Sequence, residues 1–166
     1  MPKIFNTNDM NIGKRDSPIE EYSWKTTEDI AKIANLDEFS CNIRVLEKGK
    51  YSYPYHFHHN AEEVFVILSG KGELRTPDGI SEINSGSIAF FEKGETGAHQ
   101  IFNGNETPLV YIDLRTLHKL DVCEYPDTGK VNILPKMEIF FRGEQTEYFK
   151  GEQNISEIWA EIKSKK

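Results

Sequence analysis

The residues that could do chemistry in this chain are gathered in two short stretches. The first, from Gly49 to Gly70, holds His56, His58, His59, Glu62 and Glu63. The second, from Gly86 to Asn103, holds Glu92, Glu95 and His99. The whole chain has five histidines, so three within four residues is a concentration that needs a reason. Imidazole and carboxylate together suit Zn, Fe, Mn, Ni or Cu, and two histidines with one carboxylate form the facial ligand set of non-haem iron sites. His56 and His58 are two apart, so on a strand they point the same way and can share one ion. His59 then faces the other way. His99 is the remaining imidazole with motif-like surroundings, because His118 lies further on, as a surface residue. Either Glu62 or Glu63 could supply the carboxylate. A divalent ion held this way keeps net positive charge and can polarise an oxygen or acidify a bound water.

The elements that position these residues read as short strands. Glu62 to Leu68 is a β-branched and aromatic run closed by Ser69-Gly70. Ser69 to Gly72 reads as a hairpin connection, and Thr76 to Gly79 as another turn. Ser87–Phe91, Ala98–Asn103 and Pro108–Thr116 are further short apolar runs, punctuated by Gly and Asn. Asn103 is expected to satisfy backbone at the turn with Gly104. Many short strands at close intervals imply a sandwich or a closed jelly roll. Tyr51, Tyr53, Tyr55 and Phe57 alternate with His56 and His58. On a regular strand they would face away from the metal, toward packing or an interface.

The two stretches resemble the two conserved motifs of the cupin superfamily. In the first motif a Gly leads to His-x-His, then Glu, then a closing Gly. Gly49, His56, His58, Glu63 and Gly70 fill these places, with one extra residue before His56. The six residues between Glu63 and Gly70 favour Glu63 over Glu62. In the second motif Gly86, Gly94, His99 and Asn103 match in order. Glu92 stands where Pro is usual, and four residues rather than two separate Gly94 from His99. The resemblance covers about residues 40–116. It implies an all-β fold, a single double-stranded β-helix (jelly-roll) cupin barrel, to which the flanking residues add an N-terminal arm and a short C-terminal helix. It also implies one divalent transition metal (Zn, Fe, Mn or Ni) held by His56, His58, Glu63 and His99. Residues 121–131 look like a tail found after the barrel in a group of single-domain bacterial cupins, which brings no reaction with it.

The chain divides into an N-terminal arm (1–38), the barrel and its tail (39–142), and a C-terminal segment with a helix (143–166). Trp24, Ile30 and Ile33 are expected to anchor the arm. Ile155, Ile158, Trp159 and Ile162 recur at helical spacing, with Trp159 as a packing anchor and Asn154 at the start. The length of 166 residues fits one domain with its own core. A net charge of −7 argues against nucleic acid and anionic membrane as partners. No apolar run is long enough to cross a membrane. Cys41 and Cys123 fit no metal or redox pairing, so both are expected as free thiols in the cytoplasm. The arm and the aromatic strand 51–57 suggest a homodimer with one of them at the interface.

The expected function is a metal-dependent enzyme of oxygenase, isomerase or decarboxylase type, acting on a small polar or acidic molecule. A non-catalytic cupin that binds a small ligand is the competing class. Val64–Leu68, Ile88–Phe91 and Val110–Leu114 are expected to wall a partly apolar cavity. Glu62, Glu92 and Glu95 are the nearby carboxylates that could move protons. Arg44, Arg75, Arg115 and Arg142 are fixed cations for an acidic substrate; sequence leaves open which of them face inward.

Overall fold

The computed structural model describes residues 1–165. Its strands, in chain order, are β1 (Gly13–Arg15), β2 (Trp24–Thr26), β3 (Phe39–Leu46), β4 (Lys50–Tyr51), β5 (Phe57–His58), β6 (Glu63–Ser69) and β7 (Lys71–Thr76). They continue as β8 (Gly79–Asn84), β9 (Ile88–Phe91), β10 (Gln100–Asn103), β11 (Leu109–Thr116), β12 (Asp121–Tyr125), β13 (Lys130–Leu134) and β14 (Glu138–Phe141). Two α-helices, α1 (Ile30–Ile33) and α2 (Ile155–Ser164), and four short 3-10 helices complete the regular structure of the described residues. The fold is mostly β, with antiparallel pairing, as the alternating short runs require.

Three open sheets form. The largest runs β1-β2-β3-β11-β6-β9, the second β4-β10-β7-β8 and the third β14-β13-β12-β5. The N-terminal strands extend the large sheet, with Arg15 opposite Trp24 and Thr26 opposite Arg44. Trp24 is buried, as its anchoring role requires. Ile33 is exposed instead, and Ala31 is the residue α1 buries. Asp29 caps α1 by accepting from the Ala31 and Lys32 amides, which fixes where that turn starts.

The core lies where the large sheet faces the β4-β10-β7-β8 sheet. Trp24, Phe65, Ile67, Leu74, Ile101 and Tyr111 meet there, all nearly solvent-free. Period-2 alternation produces this: β6 buries Glu63, Phe65 and Ile67 and turns Val64 and Val66 outward.

The connection at Ser69-Gly70 is a corner rather than a hairpin, because β6 and β7 belong to different sheets. Gly70 has φ +80°, and a Cβ there would lie 2.3 Å from the Pro108 carbonyl oxygen. The backbone therefore turns between layers only without a side chain. Thr76 to Gly79 is a true hairpin, with those two residues opposed across β7 and β8.

Residues 51–57 do not form one strand. β4 ends at Tyr51, residues 52–55 bend, and β5 begins at Phe57. Pro54 lies inside this bend and cannot donate to a ladder. The expected exposed aromatic edge is absent as a result: Tyr55 and Phe57 are buried, and Tyr51 stacks on Phe102 at 4.5 Å. The helix expected over 153–164 is present, but Asn154 makes no side-chain cap bond. Trp159 is not a packing anchor, being 56% exposed with Ile155, Ile158 and Ile162 similarly open.

Candidate metal centre

Three backbone segments bring the four expected ligands together. His56 and His99 face each other in an isolated antiparallel bridge, with the His99 amide donating to the His56 carbonyl at 2.9 Å. Directly opposed residues share a face, so both imidazoles project the same way. His58 follows two residues after His56 and joins them. Glu63 opens β6 and reaches in from the large sheet. All four are buried, at 1–6% exposure.

The orientation of each ring is fixed from behind. His56 Nδ1 donates to the Pro54 carbonyl at 2.9 Å, and His99 Nδ1 to the Gly97 carbonyl at 2.9 Å. His58 Nδ1 is 2.5 Å from Asp121 Oδ2. With a proton on each Nδ1, each Nε2 presents a lone pair. The three Nε2 atoms lie 3.7, 3.6 and 3.1 Å from Glu63 Oε2 for His56, His58 and His99 respectively. Acceptors thus face an acceptor. Glu63 Oε2 and His99 Nε2 are buried without a hydrogen-bond partner. A buried orphan of this kind is costly, and a cation between the atoms removes the cost. Donors about 2.1 Å from a shared ion sit about 3.0–3.5 Å apart in octahedral or tetrahedral arrangements; the distances to Glu63 run from 3.1 Å, inside that range, to 3.7 Å, just beyond it. The residues present fit a divalent transition metal.

Aromatic packing holds the buried side of the site. Phe91 stacks on the His99 ring at 3.7 Å and 18°, while Phe65 meets it edge-on at 5.1 Å. Gly97 permits the tight turn into His99, since a Cβ there would lie 1.8 Å from the Glu92 carbonyl oxygen. Burial keeps His56 neutral, lowering its pKa to about 3, with the neighbouring His99 adding to the effect. Burial works against the Glu63 charge, yet the surrounding imidazoles hold its carboxyl below the usual carboxylate range. Burial also opposes the Asp121 charge. The His58 ring and the Asn60 amide outweigh it and hold that carboxyl low.

The open side of the site faces a cavity of about 360 Å³. His56, His58 and Glu63 form part of its wall, together with Tyr53, Cys123, Tyr125 and Asn132. Ser40, Asn42, Arg44, Asp113, Arg115 and Arg15 continue the lining along the large sheet. Leu117, Leu134 and Met137 add apolar surface, so the wall is partly apolar as expected but drawn from other segments. Val64–Leu68 lies in the core or points outward, and its inward members Phe65 and Ile67 pack beneath the site. Glu62, Glu92 and Glu95 are exposed and do not line this cavity. Among the titratable groups lining it are Asp113, Tyr53, Tyr125 and Cys123. Burial raises all four, outweighing the Arg44 pairing at Asp113, and pushes the Cys123 thiol to about 12.

Of the four arginines with possible substrate roles, Arg44 and Arg115 face the cavity. Arg44 is buried and paired with Asp113, Nε to Oδ2 at 2.6 Å. Arg75 grips Asp127 with two bonds of 2.6 and 2.7 Å and lies over Tyr55, pinning the turn that follows β12. Arg142 pairs with Glu124, which also binds His59 Nε2 at 2.7 Å. His59 therefore points away from the other imidazoles, as the two-residue period requires, and His118 is exposed beside Thr116. Asn103 bridges backbone, donating to the Leu46 and Thr107 carbonyls and accepting from the Asn105 amide. Asp121, Cys123 and Tyr125 were not legible as site residues. The sole signal was their two-residue spacing in a segment of unassigned role.

Residues 42–115 match the family described as Cupin domain. No curated protein matches the chain. Solved structures share the fold. One is a protein from Acidithiobacillus ferrooxidans carrying the provisional name of sugar phosphate isomerase. It superposes with TM-score 0.77 at 22% identity, over 87% of this chain and 95% of its own. A sugar phosphate isomerase described as from a cupin superfamily, from Silicibacter pomeroyi, gives 0.75 at 17% identity, over 90% and 98%. The polyketide cyclase RemF from Streptomyces resistomycificus gives 0.57 at 21%, over 71% and 81%. At these identities the likeness is one of fold, and function must be argued from the site.

Proposed function

We infer that this chain, a member of the cupin family through residues 42–115, is a divalent-metal-dependent enzyme. In this reading His56, His58, Glu63 and His99 hold the metal, and the substrate is a small, acidic, polyhydroxylated molecule. The observation that carries it is the set of inward lone pairs around the orphaned Glu63 Oε2, opening onto a cavity lined by both polar and apolar side chains. A closed structural site would not face such a cavity. When bound, the ion supplies Lewis acidity toward a carbonyl or hydroxyl oxygen.

Isomerisation is the reaction we propose over oxygenation. Hydroxyl-rich substrates match the lining by Ser40, Asn42 and Asn132. Aldose–ketose interconversion moves one proton between neighbouring carbons and one between their oxygens, and needs no oxidant. The Tyr53 and Tyr125 hydroxyls and the Asp113 carboxyl are the cavity groups able to hold or pass a proton. The two fold relatives bearing sugar phosphate isomerase names agree with this direction.

The test is incubation of Mn(II)- or Zn(II)-loaded protein in D2O with a panel of aldose and ketose phosphates, followed by proton NMR. Deuterium uptake at the carbon next to the carbonyl, lost in His99→Ala, supports the reading. Ligand binding with no exchange for any member of the panel returns the protein to the non-catalytic class.

The proposal extends to assembly and location. Phe140 and Phe141 on β14, with Ile158 and Trp159 on α2, leave apolar surface open. A second copy covering it would make a homodimer. Light scattering that finds a monomer at micromolar concentration removes that part. A cytoplasmic location agrees with Cys41 and Cys123 being unbridged; titration of the denatured, unreduced protein should find two thiols per chain.

A further inference from the structure

Cys123 stands beside two of the proposed metal ligands, although its sequence surroundings fit no metal pattern. Strand register puts it there. β12 pairs with β5 so that Cys123 is directly opposite His58. Opposed residues carry their side chains on one face, with Cβ atoms about 4.5–5.5 Å apart. His56 lies two residues before His58 and shares that face. The three groups converge: a ring nitrogen of His56, a ring nitrogen of His58 and Cys123 Sγ all lie within 4.8 Å of one another. Nitrogen and sulfur donors on opposite sides of one ion sit about 4.3 Å apart, so only a few tenths of an ångström separate this trio from a shared ion. A second trio, His56, Glu63 and His99, meets the same limit. His56 belongs to both trios, and His58 Nε2 is 3.6 Å from Glu63 Oε2, so sulfur and carboxylate approach the same pair of imidazoles.

β12 follows the imidazole row along its length. Asp121 accepts from His58 Nδ1, Cys123 lies by both rings, and the Tyr125 ring stacks along His56 at 6.0 Å and 26°. Two-residue periodicity sets all three on one face of the strand. Cys123 lines the cavity and is 2% exposed. A buried free thiol alone would be an ordinary small apolar side chain. The orphaned atoms beside this one set it apart. Glu63 Oε2 and His99 Nε2 belong to side chains more than nine-tenths buried and have no hydrogen-bond partner, which marks the place of a cation independently of the sulfur. Cys41 provides the contrast. It lies on β3 between Ser40 and Asn42, which both line the cavity, so its own side chain turns to the other face.

We propose that Cys123 is a fifth protein ligand of the metal, binding as a thiolate alongside His56, His58, Glu63 and His99. The metal–sulfur bond forms as the S–H bond breaks, and the proton leaves to solvent. Burial keeps the thiol protonated in the metal-free chain. The sulfur changes which ion the centre prefers: thiolate selects Zn(II), whereas a set of carboxylate and imidazole alone admits Mn(II) more readily. Five protein ligands leave one position of a six-coordinate ion for a substrate oxygen. The inference rests on the metal-centre reading, and the experiment separates the failure of one from the failure of the other.

The test is titration of Co(II) into metal-free wild type, Cys123→Ser, Cys41→Ser and His99→Ala, followed by near-ultraviolet absorption. Chelator competition then measures Zn(II) and Mn(II) affinity. The expected result is a sulfur-to-cobalt charge-transfer band in wild type and Cys41→Ser that is absent from Cys123→Ser. Cys123→Ser should lose at least about tenfold in Zn(II) affinity, as much as loss of a supporting residue costs, and less in Mn(II) affinity. In His99→Ala the band should need more cobalt, because thiol and imidazole share the ion; an unchanged midpoint puts the sulfur on a separate ion and overturns the assignment. Cobalt bound by wild type without the band overturns thiol ligation and leaves the metal centre standing, as does a band at full strength in Cys123→Ser. If no sample binds cobalt or zinc, the metal-centre reading fails and the thiol ligand falls with it. In Cys41→Ser, Cys123 is the sole thiol, so the band there assigns the sulfur even if Cys123→Ser does not fold.

Discussion

Asp121 accepts the Nδ1 proton of His58 at 2.5 Å across 63 residues of chain. The contact exists because β12 pairs with β5, placing Cys123 opposite His58 and Asp121 just beyond it. The carboxylate selects the tautomer whose Nε2 lone pair points at Glu63, and its other oxygen takes the Asn60 amide at 3.0 Å. The segment after β11 thus supports the candidate metal centre from behind.

Asp121→Ala should lower metal affinity by about 10–100-fold, the usual cost of losing such a supporting carboxylate. Asp121→Asn keeps an acceptor for the ring proton and should lose less. Competition with a chelator of known affinity measures both. An alanine variant that holds metal as tightly as wild type would show that packing alone orients His58.

The imidazoles themselves divide into two classes. His56→Ala, His58→Ala and His99→Ala should each strip most of the metal, and Glu63→Gln should weaken it. His59→Ala should leave metal content unchanged, because its ring is bound to Glu124 on the opposite face. Elemental analysis of protein purified without a metal-binding tag decides this. Metal lost in His59→Ala and kept in His58→Ala would require the β5–β12 register to be wrong.

What could be read in advance follows the range of the interaction. The His56–His58 pair and the opposite facing of His59 follow from strand periodicity, a property of neighbouring residues. Glu63 was distinguished from Glu62 by motif spacing, and burial agrees: Glu63 is 6% exposed and Glu62 lies outside. The same periodicity failed at Tyr53, placed on the far face by parity, because residues 52–55 bend and turn that ring against His56 at 5.8 Å. Which arginines face inward depended on β3, β11 and β6 lying side by side, a register that no local pattern encodes. Asp121 depended on a pairing 63 residues away. The helix at α2 was legible from its spacing, yet spacing does not say whether a core place remains for its apolar face.

Acid should destabilise the metal-free protein before its carboxylates titrate. His56 is held at about 3 in the folded state, chiefly by burial, against about 6.5 when unfolded. The unfolded chain therefore takes up the proton first as pH falls. The stability from keeping this ring neutral is full above pH 6.5 and is progressively lost below it, by roughly 2 kcal/mol at pH 5. Urea unfolding of metal-free protein at pH 7.5 and pH 5 should show the loss, and His56→Gln should reduce it. Equal stability at both pH values in wild type would mean that the ring is not buried without its proton.

The Arg44–Asp113 pair should behave as a unit whose halves cannot be removed singly. Both side chains are nearly solvent-free, 2.6 Å apart, and Arg44 further lies over the Tyr53 ring at 5.0 Å. Burial raises the Asp113 pKa even with the guanidinium beside it, so the site penalises an isolated charge. Asp113→Ala leaves a buried cation without its partner and should cost about 3–5 kcal/mol. Arg44→Met leaves a carboxyl that can protonate, so its cost should be smaller and should shrink as pH falls. The double variant Arg44→Met, Asp113→Ala should recover part of the loss, because no uncompensated charge remains. A denaturant double-mutant cycle measures the coupling. Strict additivity of the single costs would show that the two charges are each solvated independently, and that the cavity wall at Arg44 is wetter than its burial indicates.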